Sequence, residues 1–142
     1  MVRNISFTTL MYVLFLLSAT GLTNANAQLV AEIEILDVND RTPVSVSLKF
    51  ILKNESEDPI NVLKWGTPFE GKFTRDMFNI VNNGERVPYR GMLVKRPAPQ
   101  EKDYIEIARK SEISETVYLK NGYDFNSAGT YTLQYVQETL QI

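Results

Sequence analysis

The segment PVSVSLKFILK, residues 43–53, decides the predicted fold, because its apolar side chains recur at every second position. The apolar positions are Val44, Val46, Leu48, Phe50 and Leu52. Polar residues, among them Ser45, Ser47 and Lys49, alternate with them. A period of two places successive side chains on opposite faces of a β-strand. The segment is therefore predicted to be a strand with one face in a core and the polar face toward solvent.

Similar patterns recur along the chain. Residues 29–38 and 129–136 alternate in the same way, and the segments 104–108 and 113–119 are further candidate strands. Asn83-Gly84, between two short apolar runs, is a strong signal for a tight hairpin. Turn residues recur about every dozen positions, and no sustained helical period follows the first residues. This spacing predicts an all-β fold, an antiparallel β-sandwich that is broadly immunoglobulin-like, with about seven or eight strands.

The first residues predict export. A single cation, Arg3, precedes an uncharged apolar stretch, and Ala25-Asn26-Ala27 matches the small-x-small pattern that signal peptidase accepts. Residues 1–27 are therefore predicted to be a signal peptide, and residues 28–142 a single domain. The alternative is a membrane anchor, because the stretch is nearly long enough to span a bilayer. We expect a secreted or periplasmic protein with no membrane association after cleavage.

The amino-acid composition excludes several classes of function. The chain carries 15 basic and 17 acidic residues without a block of like charge, so nothing favours nucleic acid as a partner. It contains no Cys, which predicts that the core and not disulfides stabilises the domain. It contains no His, the commonest general base and metal ligand. A carboxylate pair could still hydrolyse glycosides, but that needs a sizeable cleft. We expect no enzymatic activity and no cofactor.

Longer motifs carry a family resemblance. NESEDPINVLKWGTPFEG spans residues 54–71, RVPYRGMLVKRPAPQEKDYIEI spans 86–107, and a closing segment with Gly-Thr-Tyr spans 124–133. Together they resemble the N-terminal propeptide domain of secreted aspzincin metallopeptidases, the deuterolysin and peptidyl-Lys endopeptidase group. In those precursors a zinc peptidase domain with a His-Glu-x-x-His motif follows, whereas this chain has no His. The resemblance implies an inhibitor, or a folding helper supplied in trans, for a secreted aspzincin-like zinc metallopeptidase, and a monomer when free.

Two segments are predicted to contact that partner. The candidate contact residues are Trp65, Gly66, Thr67, Pro68 and Phe69 in the first segment, and Tyr89, Leu93, Val94, Lys95, Arg96, Asp103 and Tyr104 in the second.

Their expected roles differ. Trp65 is more often a core residue, which could anchor a turn that presents Phe69. The extended residues 93–96 resemble a substrate strand in which Lys95 suits an acidic pocket, and the proline after Arg96 makes the next bond a poor substrate. Asp103 and Tyr104 could approach a catalytic zinc, although an ordinary strand start is the simpler interpretation.

Two other functions stay open. A general adhesion or binding module of the cell envelope would need no peptidase. A carbohydrate-binding domain would need a flat exposed platform, for which Trp65, Phe69, Tyr89 and Tyr104 are the candidates. Asn54-Glu55-Ser56 also matches a glycosylation sequon.

Overall fold

A computed structural model describes residues 5–9, 13–17, 27–39, 41 and 44–136. These residues form ten strands: β1 (Ile5–Thr9), β2 (Val13–Leu17), β3 (Ala27–Asn39), β4 (Ser45–Asn54), β5 (Ile60–Leu63), β6 (Phe78–Asn82), β7 (Glu85–Arg86), β8 (Tyr104–Ile107), β9 (Ser111–Tyr118) and β10 (Gly129–Tyr135). Three short 3-10 helices lie at Pro68–Glu70, Glu101–Asp103 and Leu119–Asn121. No α-helix occurs in this part of the chain.

The strands form two four-stranded sheets and a small third one. The first sheet has the order β2-β3-β4-β9, the second has the order β1-β10-β6-β7, and β5 pairs with β8. Every pairing among β3 to β10 is antiparallel, whereas β1 runs parallel to β10. The all-β sandwich is therefore confirmed, and the eight strands β3 to β10 account for the predicted domain.

The two large sheets share one core. The ring centroids of Phe50 on β4 and Tyr135 on β10 lie 4.5 Å apart, which joins the sheets directly. Phe78 on β6 packs against the same tyrosine at 5.7 Å. Aromatic pairs at such separations add to the stabilisation that burial alone provides. The core therefore sits between the sheets, as a sandwich requires.

The alternation in residues 43–53 is confirmed. All five apolar positions of that segment are buried, from Val44 to Leu52. Ser45, Ser47 and Lys49 were expected to face solvent, but they are half-buried. The reason is that β4 is an interior strand, with β3 and β9 hydrogen-bonded on its two sides, so neighbouring side chains cover its outer face.

The predicted hairpin is confirmed at its turn. Asn83 and Gly84 join β6 to β7 with φ angles of 53° and 78°, both in the left-handed region. A two-residue turn of this kind matches the right-handed twist of the strands it connects. The local sequence therefore sets the register of this strand pair.

The predicted signal peptide overlaps the first two strands. β1 pairs with β10, and β2 pairs with the start of β3, where Leu17 lies opposite Ala27. Residues 18–26, which include Ala25 and Asn26 of the cleavage motif, lie outside the described residues. Cleavage after Ala27 therefore stays a prediction. Across the described ranges, no helix combines the length and the apolar character needed to cross a membrane.

Asn54, at the end of β4, ties three parts of the chain together. Its side-chain Nδ2 donates hydrogen bonds to the carbonyls of Asp58 at 2.7 Å and Ile107 at 3.0 Å. Its Oδ1 accepts from the backbone N–H and the hydroxyl of Ser56, at 2.9 and 2.6 Å. Only 1% of Asn54 is exposed. The apparent sequon is therefore a structural junction whose amide nitrogen is not accessible to a glycan.

Candidate functional site

The first predicted segment forms a tight turn after β5. The carbonyl of Lys64 accepts hydrogen bonds from the backbone N–H and the hydroxyl of Thr67, at 3.1 and 2.6 Å. The Thr67 hydroxyl in turn accepts from the N–H of Phe69 at 3.2 Å and so caps the 3-10 helix Pro68–Glu70. Pro68 opens that helix, where its fixed φ is favourable and its missing N–H costs nothing. Local chemistry thus determines the shape of this turn.

Gly66 is required by both its conformation and its surroundings. Its φ is +68°, in the left-handed region that side chains with a Cβ rarely adopt. A Cβ at this position would also lie 2.2 Å from Cδ of Arg75. The turn can therefore pass close to the Arg75 side chain only because residue 66 is a glycine.

Trp65 and Phe69 are both half-buried. Phe69 packs on the core, with its ring centroid 5.6 Å from that of Phe50. Trp65 lies beneath the guanidinium of Arg96, whose Cζ is 4.8 Å from the ring centroid. A cation over the face of an indole is attracted by the ring quadrupole. The turn is therefore anchored to the core by Phe69, while Trp65 supports a residue of the second segment.

Glu70 joins the two predicted segments. One carboxylate oxygen accepts hydrogen bonds from the N–H of Gly66 at 3.1 Å and from the hydroxyl of Thr74 at 2.7 Å. The other pairs with the guanidinium of Arg96. The exposed fractions of the two charged side chains are 9% for Glu70 and 23% for Arg96. We name Trp65, Glu70 and Arg96 the clamp, because together they hold the second segment against the first.

Sequence reasoning missed Glu70. The residue lies inside the quoted motif of residues 54–71, and Arg96 lies inside the second motif. Their opposite charges were the available signal, because loops that carry one acid and one base can pair when the fold brings them together. Many other acids in the chain offered the same signal, so charge alone did not identify this pair.

The second segment is held along its backbone. Tyr89 forms an isolated bridge with Tyr123, and the N–H of Arg90 donates to the carbonyl of Gly122 at 2.8 Å. Farther along, the Tyr89 hydroxyl donates to the carbonyl of Met92 at 2.5 Å. These contacts fix the path of the chain as it leaves the core.

A buried phenol supports this region. The Tyr123 hydroxyl donates to a carboxylate oxygen of Asp76 at 2.5 Å and accepts from the N–H of Phe78 at 3.0 Å. Asp76 also pairs with Arg86 at 2.6 Å. Burial, followed by the hydrogen bond to Asp76, raises the pKa of Tyr123 far above its usual value. Burial, followed by the charge of Asp76, also raises the pKa of Tyr89. Both phenols therefore keep their protons to a higher pH than an exposed tyrosine does.

The tip of the second segment carries apolar side chains into solvent. The exposed fractions of Met92, Leu93 and Val94 are 54%, 81% and 44%. Lys95 is also exposed, while Arg96 turns back to the clamp. The four residues predicted to act as one extended strand, 93–96, therefore differ: the first three project outward and the last is held by the protein itself.

Asp103 and Tyr104 begin β8. The Asp103 carboxylate accepts a hydrogen bond from the N–H of Gln100 at 2.8 Å, and its backbone carbonyl accepts from the N–H of Lys64 at 2.9 Å. Tyr104 lies opposite Leu63 in the β5–β8 pair. Asp103 thus contributes to the turn that precedes β8.

Four of the predicted residues meet at one open hollow of about 290 Å³. They are Trp65, Phe69, Arg96 and Asp103, and the hollow is also lined by Lys64, Glu70 and Lys72. Tyr89, Leu93, Val94 and Lys95 do not line it. Within the described ranges, no group of three or more His, Cys, Asp or Glu side chains could hold a metal ion.

The aromatic platform of the carbohydrate-binding alternative does not form. Trp65, Phe69, Tyr89 and Tyr104 are all half-buried. Phe69 packs on Phe50, and the Tyr89 ring lies 5.6 Å from that of Tyr123. The four rings therefore offer no flat exposed surface to a sugar.

Comparison with known proteins finds sequence similarity over part of this chain and a smaller part of one relative. No family model matches the chain. The chain is 30% identical over 95 residues to a protein described as an extracellular protease of Aeromonas hydrophila. The match covers 67% of this chain and 27% of the Aeromonas protein, so the chain spans about a quarter of that relative. The protein is therefore a β-sandwich module with partial similarity to an extracellular protease.

Proposed function

We propose that this chain is an exported inhibitor, or a propeptide-like folding helper supplied in trans, that occludes the active site of a secreted aspzincin-type zinc metallopeptidase. The motif resemblance of residues 54–71 and 86–107 supports this proposal, and so does the similarity to part of an extracellular protease. The observation that carries it is the clamp, because the ion pair between Glu70 and Arg96 holds the two motif segments together.

The proposed mechanism is occlusion by a preformed surface. Residues 93–95 extend along the peptidase cleft, and the turn at 66–69 lies beside them. Binding a rigid segment loses less conformational entropy than binding a mobile one, which favours affinity. The chain contributes no catalytic group and no cofactor, and the free protein is a monomer.

An inhibition titration tests this function. The protein obtained by expressing the full chain is added to an aspzincin-type zinc peptidase while cleavage of a fluorogenic peptide is followed. We expect inhibition that is complete near one equivalent, and trypsin assayed in parallel should keep its activity on a small substrate. If none of the aspzincin-type peptidases tested is inhibited, the proposal is contradicted and the adhesion-module alternative is favoured.

Export is tested separately. Protein recovered from the periplasm or the medium should begin at Gln28 when its amino-terminal sequence is determined. A form that retains Met1 and fractionates with membranes would instead indicate an anchor.

A further inference from the structure

The apolar tip formed by Met92, Leu93 and Val94 is unusual for a monomeric protein surface. Single exposed apolar residues are common and need no explanation, whereas a contiguous apolar patch often marks an interaction site. Among the large apolar side chains of the described residues, Leu93 has the greatest exposed fraction, 81%. Its side chain is therefore almost entirely available to another molecule.

The backbone beneath the tip is fixed on both sides. Before Leu93, the Tyr89 hydroxyl binds the carbonyl of Met92 at 2.5 Å, and after it, the N–H of Val94 binds the carbonyl of Thr74 at 3.3 Å. Gly91 makes the first contact possible, since a Cβ there would lie 2.3 Å from the Tyr89 hydroxyl oxygen. The tip thus combines a held backbone with a free apolar side chain.

Beyond the tip, the clamp removes Arg96 from the candidates for partner contact. Its guanidinium is already bound by Glu70 and covered on one face by Trp65. Lys95 is free to reach a partner, but an ammonium loses its hydration on burial and needs a carboxylate to compensate. A leucine needs only an apolar pocket, and its burial is favourable by itself.

We infer that Leu93 is the anchor of the interface and enters an apolar side-chain pocket in the substrate cleft of the target peptidase. This inference rests on the proposed function and identifies the class of partner, a peptidase that prefers apolar side chains. Lys95 is exposed beside the apolar tip, whereas Arg90 on the other side already pairs with Asp124 at 3.5 Å, so the rim of the cleft next to Lys95 should be acidic. Lys95 then contributes at the rim and not in the central pocket.

The first experiment measures inhibition constants of variants against an aspzincin-type zinc peptidase. Leu93→Asp should weaken inhibition by about 30-fold or more, the level of an interface hot spot, because it places a charge in an apolar pocket. Leu93→Met, which conserves volume and apolar character, should stay within about threefold. Leu36→Asp is the matched control, because Leu36 is also an exposed leucine, 48% exposed, but lies on β3.

The second experiment uses the absence of cysteine from the sequence. Leu93→Cys and Leu36→Cys each introduce a single thiol, whose reaction with a maleimide is timed in the free protein and in the complex. We expect peptidase binding to slow the reaction at position 93 at least tenfold and to leave position 36 unchanged. Thermal melts should be the same for all variants, since both leucines are exposed.

The outcomes distinguish a failure of the Leu93 anchor from a failure of the inhibitor function. If the unaltered chain inhibits and Leu93→Asp inhibits equally well, the anchor assignment is wrong while the inhibitor function stands. If the thiol at position 93 stays fully reactive in the complex, the assignment is also wrong. If the unaltered chain does not inhibit, both the function and the anchor fail.

Discussion

Removing the carboxylate of Glu70 should release the second segment without unfolding the core. In Glu70→Ala, the N–H of Gly66 and the hydroxyl of Thr74 lose their acceptor, and Arg96 loses its ion-pair partner. Each hydrogen bond contributes about 1 kcal/mol. The ion pair adds about 1 kcal/mol, since Arg96 keeps partial contact with water. The two hydrogen bonds lie within residues 66–74 and stay formed when the second segment opens, so only the loss of the ion pair favours release, by about 1 kcal/mol.

Limited proteolysis measures this release directly. Trypsin can cut after Lys95, but the bond after Arg96 is protected by the proline that follows. Cleavage requires the loop to leave the clamp, so its rate follows the population of the open form. A change of about 1 kcal/mol corresponds to cleavage about fivefold faster in Glu70→Ala. Glu101→Ala, at an exposed glutamate of a 3-10 helix, is the matched control and should leave the rate unchanged.

A double-mutant cycle isolates the ion pair. Arg96→Ala alone should also loosen the loop, and the combined variant should be less affected than the two single changes predict, by about 1 kcal/mol. Equal cleavage rates for the unaltered protein, Glu70→Ala and Glu101→Ala would refute the clamp. Additive effects of Glu70→Ala and Arg96→Ala would show that the two side chains act independently.

Three further predictions concern stability. Phe50→Ala should lower the free energy of unfolding by about 3–5 kcal/mol in a urea melt, and the adjacent Lys49→Ala by about 0.5 or less; similar losses would contradict the strand register. Asn54→Ala should cost about 3 kcal/mol or more, because it leaves buried backbone groups unpaired, whereas Glu55→Ala should be nearly neutral by the same melt. Burial raises the pKa of Tyr135 above its usual 10.0, so the folded protein keeps a proton that the unfolded chain loses. Its contribution is therefore complete below pH 10 and falls above it by about 1.4 kcal/mol per pH unit; Tyr135→Phe should remove this part of the alkaline slope, while the part that comes from Tyr123 remains.

Local patterns predicted the strands and the hairpin because each depends on neighbouring residues only. The alternation through Phe50 requires one buried face, and Asn83-Gly84 favours one turn geometry wherever it occurs. The half-buried state of Lys49 was not predictable in this way. It depends on β4 having a neighbour on both sides, and the order of strands in a sheet is set by the whole chain.

Polar side chains were harder to interpret than apolar ones, because their role depends on burial. Asn54 matched a sequon in the sequence, yet in the structure it is a buried junction between β4 and the end of β8. Glu70 was one acid among many, yet it organises the candidate site. An apolar residue is most often buried in the core of a folded domain, whereas a polar residue can be solvated, buried with hydrogen-bond partners or part of an interface.

The contrast between Trp65 and Leu93 follows from the same reasoning and bears on function. Size and aromaticity made Trp65 the most conspicuous residue of its segment, but its ring is partly covered and supports Arg96. Leu93 was predicted to contact the partner only as one of several residues in the extended segment 93–96, and the structure makes it the most exposed large apolar side chain of the described residues. A surface that binds through a preformed segment needs both kinds of residue: interior contacts that fix the backbone, and a side chain left free at the tip. The clamp and the Tyr89 contact supply the first, and Leu93 supplies the second, so the proposed interface depends on the arrangement of all three and not on a single motif.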